Sequence, residues 1–113
     1  MATDIHAKLS YCGVSAQKVR LVIDTIRGKP AVEALNILSI LPKAASSHVR
    51  KLLLSAVSNA EENFGINRDN LIIYKVTADE APTRKWRRFG ARGRFKPILR
   101  RSSHISIVLR ENE

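Results

Sequence analysis

Apolar and polar residues follow two different periods along this chain, and these periods predict its strands and helices. Residues 5–11 alternate apolar and polar side chains, as a strand with one buried face does. The alternation returns at residues 72–78, where Ile72, Tyr74, Val76 and Ala78 fall on one side, and again at about 97–110. The stretch between the first two of these strands shows a helical period instead, so both kinds of element are expected.

Three amphipathic helices are predicted in that stretch. The first follows Ser15, whose hydroxyl can accept a free backbone N–H as an N-cap, and Gly28 suits its end. The second begins at Pro30, and the third follows Pro42 and ends at Gly65. The residues expected to face the core are Val19, Val22, Ile23 and Ile26 on the first helix, Val32, Leu35 and Leu38 on the second, and Val49, Leu52, Leu53, Ala56, Val57, Ala60 and Phe64 on the third.

This order of elements predicts an α+β fold, with three helices packed on a small antiparallel sheet and a long protruding basic β-hairpin. We expect a single domain over residues 1–113, made of a globule at about 1–80 and 97–113 and an extended hairpin at about 81–96. Gly90 and Gly93 permit a tight turn at the hairpin tip. Legs of roughly eight residues each would reach on the order of 25 Å beyond the globule.

The charge of the chain is concentrated in this hairpin. The net charge is +10, and no Asp or Glu lies between Glu80 and Glu111. The rest of the chain holds equal numbers of acidic and basic residues, so the sequence reads as a neutral globule joined to a cationic ribbon. The ten basic residues of the acid-free interval are Arg84, Lys85, Arg87, Arg88, Arg92, Arg94, Lys96, Arg100, Arg101 and Arg110.

Such a ribbon favours a polyanionic partner. Two strands alone are only marginally stable in water, and like charges across a strand pair repel each other. Arginine can bind phosphate in a bidentate manner, and Trp86 and Phe89 are able to stack on splayed bases. The alternatives are a solvated, disordered basic loop and a membrane-binding segment. Pro82, Gly90, Gly93 and Pro97 disfavour a basic amphipathic helix there, and no apolar run approaches the roughly 20 residues that span a bilayer.

Catalytic and metal-binding patterns are not apparent, so we expect no enzyme activity, metal or cofactor. The three histidines lie far apart and lack metal-ligand spacing with Cys12, which is interpreted as a small apolar residue. Glu61 and Glu62 are interpreted as a solvated helix face, and Asp24 as half of a helical ion pair. Two rival functions remain: a free-standing regulator with a helix-turn-helix at 15–41, and a small nuclease. The second helix is nearly uncharged, which disfavours the regulator, and a nuclease would need clustered carboxylates or histidines.

Several stretches match a known family, and together they cover nearly the whole chain. They are Val14-Ser15 to Arg20, Ile26 to Lys29, Ala34 to Leu38, Ser55 to Glu61, Ala91-Arg92-Gly93-Arg94 and Ser103-His104-Ile105. On these residues the chain resembles the bacterial-type large-subunit ribosomal protein L twenty-two family. It departs from the family pattern in the hairpin, with Ala81-Pro82 in place of Gly-Pro, Trp86 in place of Arg, and Phe89-Gly90 in place of Pro-Arg.

The resemblance implies a structural protein of the large ribosomal subunit, in a cytoplasmic or organellar ribosome. Its globule would dock on ribosomal RNA near the exit of the nascent-peptide tunnel, and its hairpin would run inward and help line the tunnel. The expected partners are large-subunit ribosomal RNA, neighbouring ribosomal proteins and, near the hairpin tip, the nascent peptide, with no membrane. The residues expected to bind RNA are Lys18, Arg20, Arg27, Lys29, Arg84, Lys85, Trp86, Arg87, Arg88, Arg92, Arg94, Lys96, Arg100 and Arg101.

Overall fold

A computed structural model describes residues 4–82, 84–89 and 95–111, with the backbone alone for Tyr11, 84–89 and 95–100. The elements in chain order are β1 (Asp4–Cys12), α1 (Ala16–Ile23), α2 (Ala31–Ile40), α3 (Ala44–Phe64), a 3₁₀ turn (Arg68–Asn70), β2 (Leu71–Glu80), β3 (Arg84–Phe89), β4 (Phe95–Arg100) and β5 (Ser103–Glu111). Strands β1, β5 and β2 form an antiparallel sheet in that order, and β3 pairs with β4 as a separate two-stranded ribbon. The predicted α+β class is confirmed.

The core lies between the helices and one face of the three-stranded sheet. Helix α3 runs through its centre, and the apolar stripe predicted for α3 is buried from Val49 to Ala60. Phe64 was also predicted to face the core, and that prediction is wrong, since its side chain is 49% exposed. The helix ends at Gly65 in a left-handed conformation, with φ at +65°. This reversal brings Ile66 rather than Phe64 into the core.

Helix α2 packs through small residues. Ala31, Ala34 and Leu38 are its buried positions, whereas Val32 and Leu35 are only half-buried. Leu38 was therefore placed correctly, and Leu35 packs against the core while partly exposed, whereas Val32 is not part of the core cluster. Alanine side chains let two helix backbones approach closely, so they occupy the contact line, and the larger residues lie at its margins.

Helix α1 is shorter than its apolar stripe suggested. It ends at Ile23, and residues 24–28 continue as turns, in which Thr25 N–H donates to the Val22 carbonyl at 3.1 Å. The Thr25 hydroxyl donates to the same carbonyl at 2.6 Å. Ser15 occupies the N-cap position, but its side chain makes no capping hydrogen bond, contrary to the prediction.

Two irregularities in the strands also escaped the sequence pattern. The β2–β5 register shifts between Ile73 and Lys75, so Ile73 and Val76 are both buried while Tyr74 is 53% exposed. The predicted last strand is interrupted at residues 101–102, because the chain there passes from the ribbon to the main sheet.

The Cα atoms extend 64 × 25 × 19 Å, and the radius of gyration is 17.1 Å. A compact chain of this length would have a radius of about 13 Å.

Candidate nucleic-acid interface

The ribbon formed by β3 and β4 places cations directly opposite cations. The backbone register pairs Arg84 with Arg100 and Arg88 with Lys96. Side chains of directly paired residues share a face of an antiparallel ribbon, and like charges in that position destabilise it. Polyanion binding would offset this repulsion, because each arginine or lysine could then face a phosphate group.

The structure describes some of the other hairpin residues that were predicted to bind RNA, and it does not describe the rest. Lys85, Trp86 and Arg87 lie on β3 opposite Leu99, Ile98 and Pro97 of β4, in the backbone register. Arg92 and Arg94 were predicted to bind RNA near the tip, and both lie outside the residues that the structure describes.

Hydrogen bonds fix the chain at the base of the ribbon. The Ala81 N–H donates to the Ser102 carbonyl at 3.0 Å, next to the point where β5 begins. The buried Ser103 hydroxyl donates to the Val14 carbonyl at 2.8 Å, which joins β5 to the loop before α1. Arg101 is exposed at this base and lines a hollow together with Gln17 and Glu80. The base of the hairpin, at residues 80–81 and 101–102, therefore adjoins the start of α1.

Two of the predicted RNA-binding arginines on the globule also hold the sheet. Strand β2 is an edge strand, and Arg20 Nε donates to its Ala78 carbonyl at 3.1 Å. Arg27 Nη1 donates to the Val76 carbonyl at 2.8 Å. An uncovered edge strand can pair with another chain, so these contacts protect the edge. Both residues nevertheless remain exposed at the surface.

The remaining predicted globule cations differ in their surroundings. Arg27 Nη2 also lies 3.4 Å from Asp24 Oδ1, which confirms the predicted ion pair, although the two residues flank a turn rather than lie within α1. Lys29 Nζ lies 3.9 Å from Glu33 Oε1. Lys18 is exposed on α1, and in the described part of the chain it forms no ion pair.

A separate charged contact crosses the outer face of the main sheet. Arg110 on β5 donates from Nε to Asp4 Oδ1 on β1 at 2.8 Å, and its guanidinium carbon lies 3.4 Å from the centre of the Tyr74 ring on β2. The hydrogen bond from Arg110 holds the pKa of Asp4 below its ordinary value, and the same bond raises the pKa of Arg110. This contact links all three strands.

The described part of the chain provides few groups suited to metal binding, cysteine chemistry or membrane insertion. Among them, no group of three His, Cys, Asp or Glu side chains is arranged to hold a metal ion. Cys12 is buried in the core, in agreement with its interpretation as a small apolar residue. Glu61 is not simply solvated, since its carboxylate lies 2.7 Å from Arg68 Nη2. Within the described ranges, no helix is both long and apolar enough to cross a lipid bilayer.

Two exposed cations outside the predicted RNA-binding set, Lys43 and Arg50, line the same hollow. Lys43 precedes α3 and Arg50 lies in its second turn, and the two line one hollow at the α2–α3 junction. A signal for them was present, because no Asp or Glu occurs between Glu33 and Glu61. A total charge summed over many elements conceals such a local excess of cations.

The chain is similar to known proteins over nearly its whole length. The sequence profile of the family described as Ribosomal protein L22p/L17e matches residues 7–110. A protein of Thermoanaerobacter sp. (strain X514), named large ribosomal subunit protein uL22, is 52% identical over 110 residues, which are 97% of this chain and 99% of that protein. Proteins with the same name from Caldicellulosiruptor saccharolyticus and Pediococcus pentosaceus are 49% and 45% identical over 107 and 111 residues, covering 95% and 98% of this chain and 88% and 94% of their own lengths.

Proposed function

Because this chain belongs to the L22p/L17e family of ribosomal proteins, whose members compared above are proteins of the large subunit, we propose that it binds large-subunit ribosomal RNA through its hairpin. In this role it supports subunit assembly, and the hairpin helps line the nascent-peptide exit tunnel. The role is structural rather than catalytic. Its partners are the RNA, neighbouring ribosomal proteins and the nascent peptide near the hairpin tip.

The backbone register of the ribbon carries this proposal. Two of its six residue pairs, Arg84 with Arg100 and Arg88 with Lys96, join two cations. Such pairs oppose formation of the ribbon in water and favour it when phosphates lie against both residues. The globule has its own hydrophobic core, so it is expected to fold without RNA. The ribbon is expected to become ordered when it binds RNA.

The globule supports this reading more strongly than it supports a helix-turn-helix regulator. Helix α2 would be the recognition helix of such a regulator, yet it carries no Lys or Arg and its single charged residue is Glu33. A recognition helix normally presents cations to the phosphates and bases of a groove. Direct phosphate contact is therefore assigned to the ribbon, together with Lys18, Arg20, Arg27 and Lys29.

A salt titration of binding to purified large-subunit ribosomal RNA tests the proposal. If the protein neutralises about six to nine phosphates, the log–log slope of affinity against salt should lie at roughly −4 to −8. Replacing Arg88 with Ala should flatten the slope by about one unit. Deletion of residues 86–92 should leave a folded protein that still cosediments with the large subunit but alters nascent-peptide crosslinks in the tunnel. A wild-type slope near zero would exclude the electrostatic mechanism.

A further inference from the structure

Two of the polar side chains that the structure describes are buried, those of Ser46 and Ser103. The Ser46 hydroxyl donates to the Leu41 and Lys43 carbonyls at 3.0 and 2.6 Å, so it serves the short connection between α2 and α3. Ser103 is 0% exposed, and its acceptor, the Val14 carbonyl, lies 89 residues away in sequence. A hydroxyl in such a position costs free energy unless it is hydrogen-bonded, whereas a small apolar side chain does not. The contact with Val14 therefore explains why a hydroxyl is present there.

Ser103 lies in the last row of the three-stranded sheet, beside the ribbon. The backbone register pairs it with Cys12 of β1 on one side and with Glu80 of β2 on the other. Beyond this row β1 ends and the chain turns towards α1, whereas β2 and β5 connect with the ribbon. The Ser103 hydroxyl bonds to the carbonyl of Val14, two residues past the end of β1. This bond therefore joins the returning strand to the globule at the point where the pairing with β1 stops.

The joint between ribbon and globule needs such a bond to have a fixed direction. The Ala81 N–H donates to the Ser102 carbonyl at 3.0 Å, which ties the two connections to each other but not to the helices. The bond from Ser103 does tie the joint to the helices, because Val14 leads directly into α1. Each strand of the ribbon has 6 residues, so at about 3.4 Å per residue its length is roughly 20 Å. A swing of about 10° at the joint would move the far end by roughly 3.5 Å, whereas hydrogen-bond lengths vary by only about 0.5 Å.

We propose that the Ser103 hydroxyl is a positioning group, which fixes the direction in which the ribbon leaves the globule. This inference rests on the proposed function and deepens it, because it names a residue that prepares the ribbon for RNA without touching RNA. Ser103 is fully buried, so it acts through the fraction of molecules whose ribbon points in the direction that binds. The apparent affinity falls in proportion to that fraction. The salt dependence is set by the number of phosphates that the cations neutralise, so it stays the same.

A pair of matched single variants tests this inference. Ser103→Ala and Ser46→Ala each remove one hydroxyl from a buried serine, but only the first breaks a bond at the base of the ribbon. Thermal melting gives a temperature at which both variants are folded. At that temperature, amide hydrogen exchange of the Ala81 N–H is measured in the RNA-free proteins, because this N–H reports on the joint itself. Binding to purified large-subunit ribosomal RNA is then measured over a range of salt.

Ser103→Ala should bind the RNA roughly 3- to 10-fold more weakly at every salt concentration, as expected for the loss of one neutral hydrogen bond. Its log–log salt slope should equal that of the wild type, because no cation has been removed. The Ala81 N–H of this variant should exchange faster than in the wild type. Ser46→Ala should keep the wild-type affinity, slope and Ala81 exchange, even if its melting temperature falls.

The outcomes separate this inference from the proposed function. If the wild-type slope is steep but the two serine variants bind alike, the proposed function stands and the positioning role of Ser103 is wrong. If Ser103→Ala weakens binding and also flattens the slope, phosphate contacts are lost within the complex, and the argument from the fraction of competent molecules is overturned. If the wild-type slope is near zero, electrostatic RNA binding fails. Exchange of the Ala81 N–H needs no RNA, so unchanged exchange in Ser103→Ala would still refute the role of Ser103 at the joint.

Discussion

Replacement of Leu53 by Ala offers a direct test of how the globule is held together. Leu53 is 0% exposed at the centre of α3. The change removes three carbon atoms, which at about 0.8 kcal/mol each lowers the free energy of unfolding by about 2.4 kcal/mol. A residual hole of about 60 Å³ would add roughly 1.4 kcal/mol, at about 24 cal/mol per Å³. The expected loss is therefore about 2.4–4 kcal/mol.

Thermal and urea unfolding of the RNA-free protein would measure this loss. With an unfolding entropy of about 2.1 cal/mol/K per residue, each kcal/mol corresponds to about 4–5 °C, so the melting temperature should fall by roughly 10–18 °C. Leu21→Ala is the matched control, because Leu21 is 59% exposed on α1 and its truncation should cost less than about 1 kcal/mol. Equal shifts in the two variants would refute the assignment of the core face.

Two further predictions concern the sheet and the end of α3. The pKa of Asp4 is lowered in the folded chain, chiefly by its hydrogen bond with Arg110, so the resulting stabilisation is complete above the ordinary Asp pKa of about 3.9 and is lost as pH falls through the folded pKa. Asp4→Asn should therefore lower the melting temperature at pH 7. The melting temperature of this variant should also fall less steeply than that of the wild type as the pH is lowered, and an equally steep fall in both proteins would contradict the argument. Gly65 has φ at +65°, so Gly65→Ala should cost about 1–2 kcal/mol in urea unfolding. Gly13→Ala should be nearly neutral, because Gly13 has no positive φ and open space around its Cβ position, and equal losses in both would contradict the strain argument.

Much of the fold was accessible from local patterns. The 3.6-residue period of α3 is long, so one misplaced residue, Phe64, did not obscure its buried face. Pro30 and Gly65 marked helix ends correctly, because their backbone preferences depend on the residue itself. Short elements were less predictable. On α2, Ala31 and Ala34 rather than Val32 are the buried residues beside Leu38, since packing against neighbouring elements decided which face turned inward.

The candidate site was predictable in its chemistry and less so in its arrangement. An acid-free run of arginines indicated a polyanion partner, and the cation pairs of the ribbon agree with that indication. The hydrogen bonds of Arg20 and Arg27 to strand β2 were not foreseeable, because their acceptors, Ala78 and Val76, lie 58 and 49 residues away in sequence. The exposed cations Lys43 and Arg50 were likewise not predicted as part of the site, because the net charge of a chain does not show which cations lie beside a carboxylate in the folded structure.

The sequence by itself determined the types of element, the α+β class and the cationic character of the hairpin, because hydrophobic period and charge are properties of neighbouring residues. Only the tertiary structure decided that Arg20 and Arg27 cover the edge of β2, that a register shift leaves Tyr74 under Arg110, and that Lys43 shares one hollow with Lys18 and another with Arg50. These relations depend on contacts between residues far apart in the chain. Packing of the helices on the sheet creates them, and no local pattern encodes them.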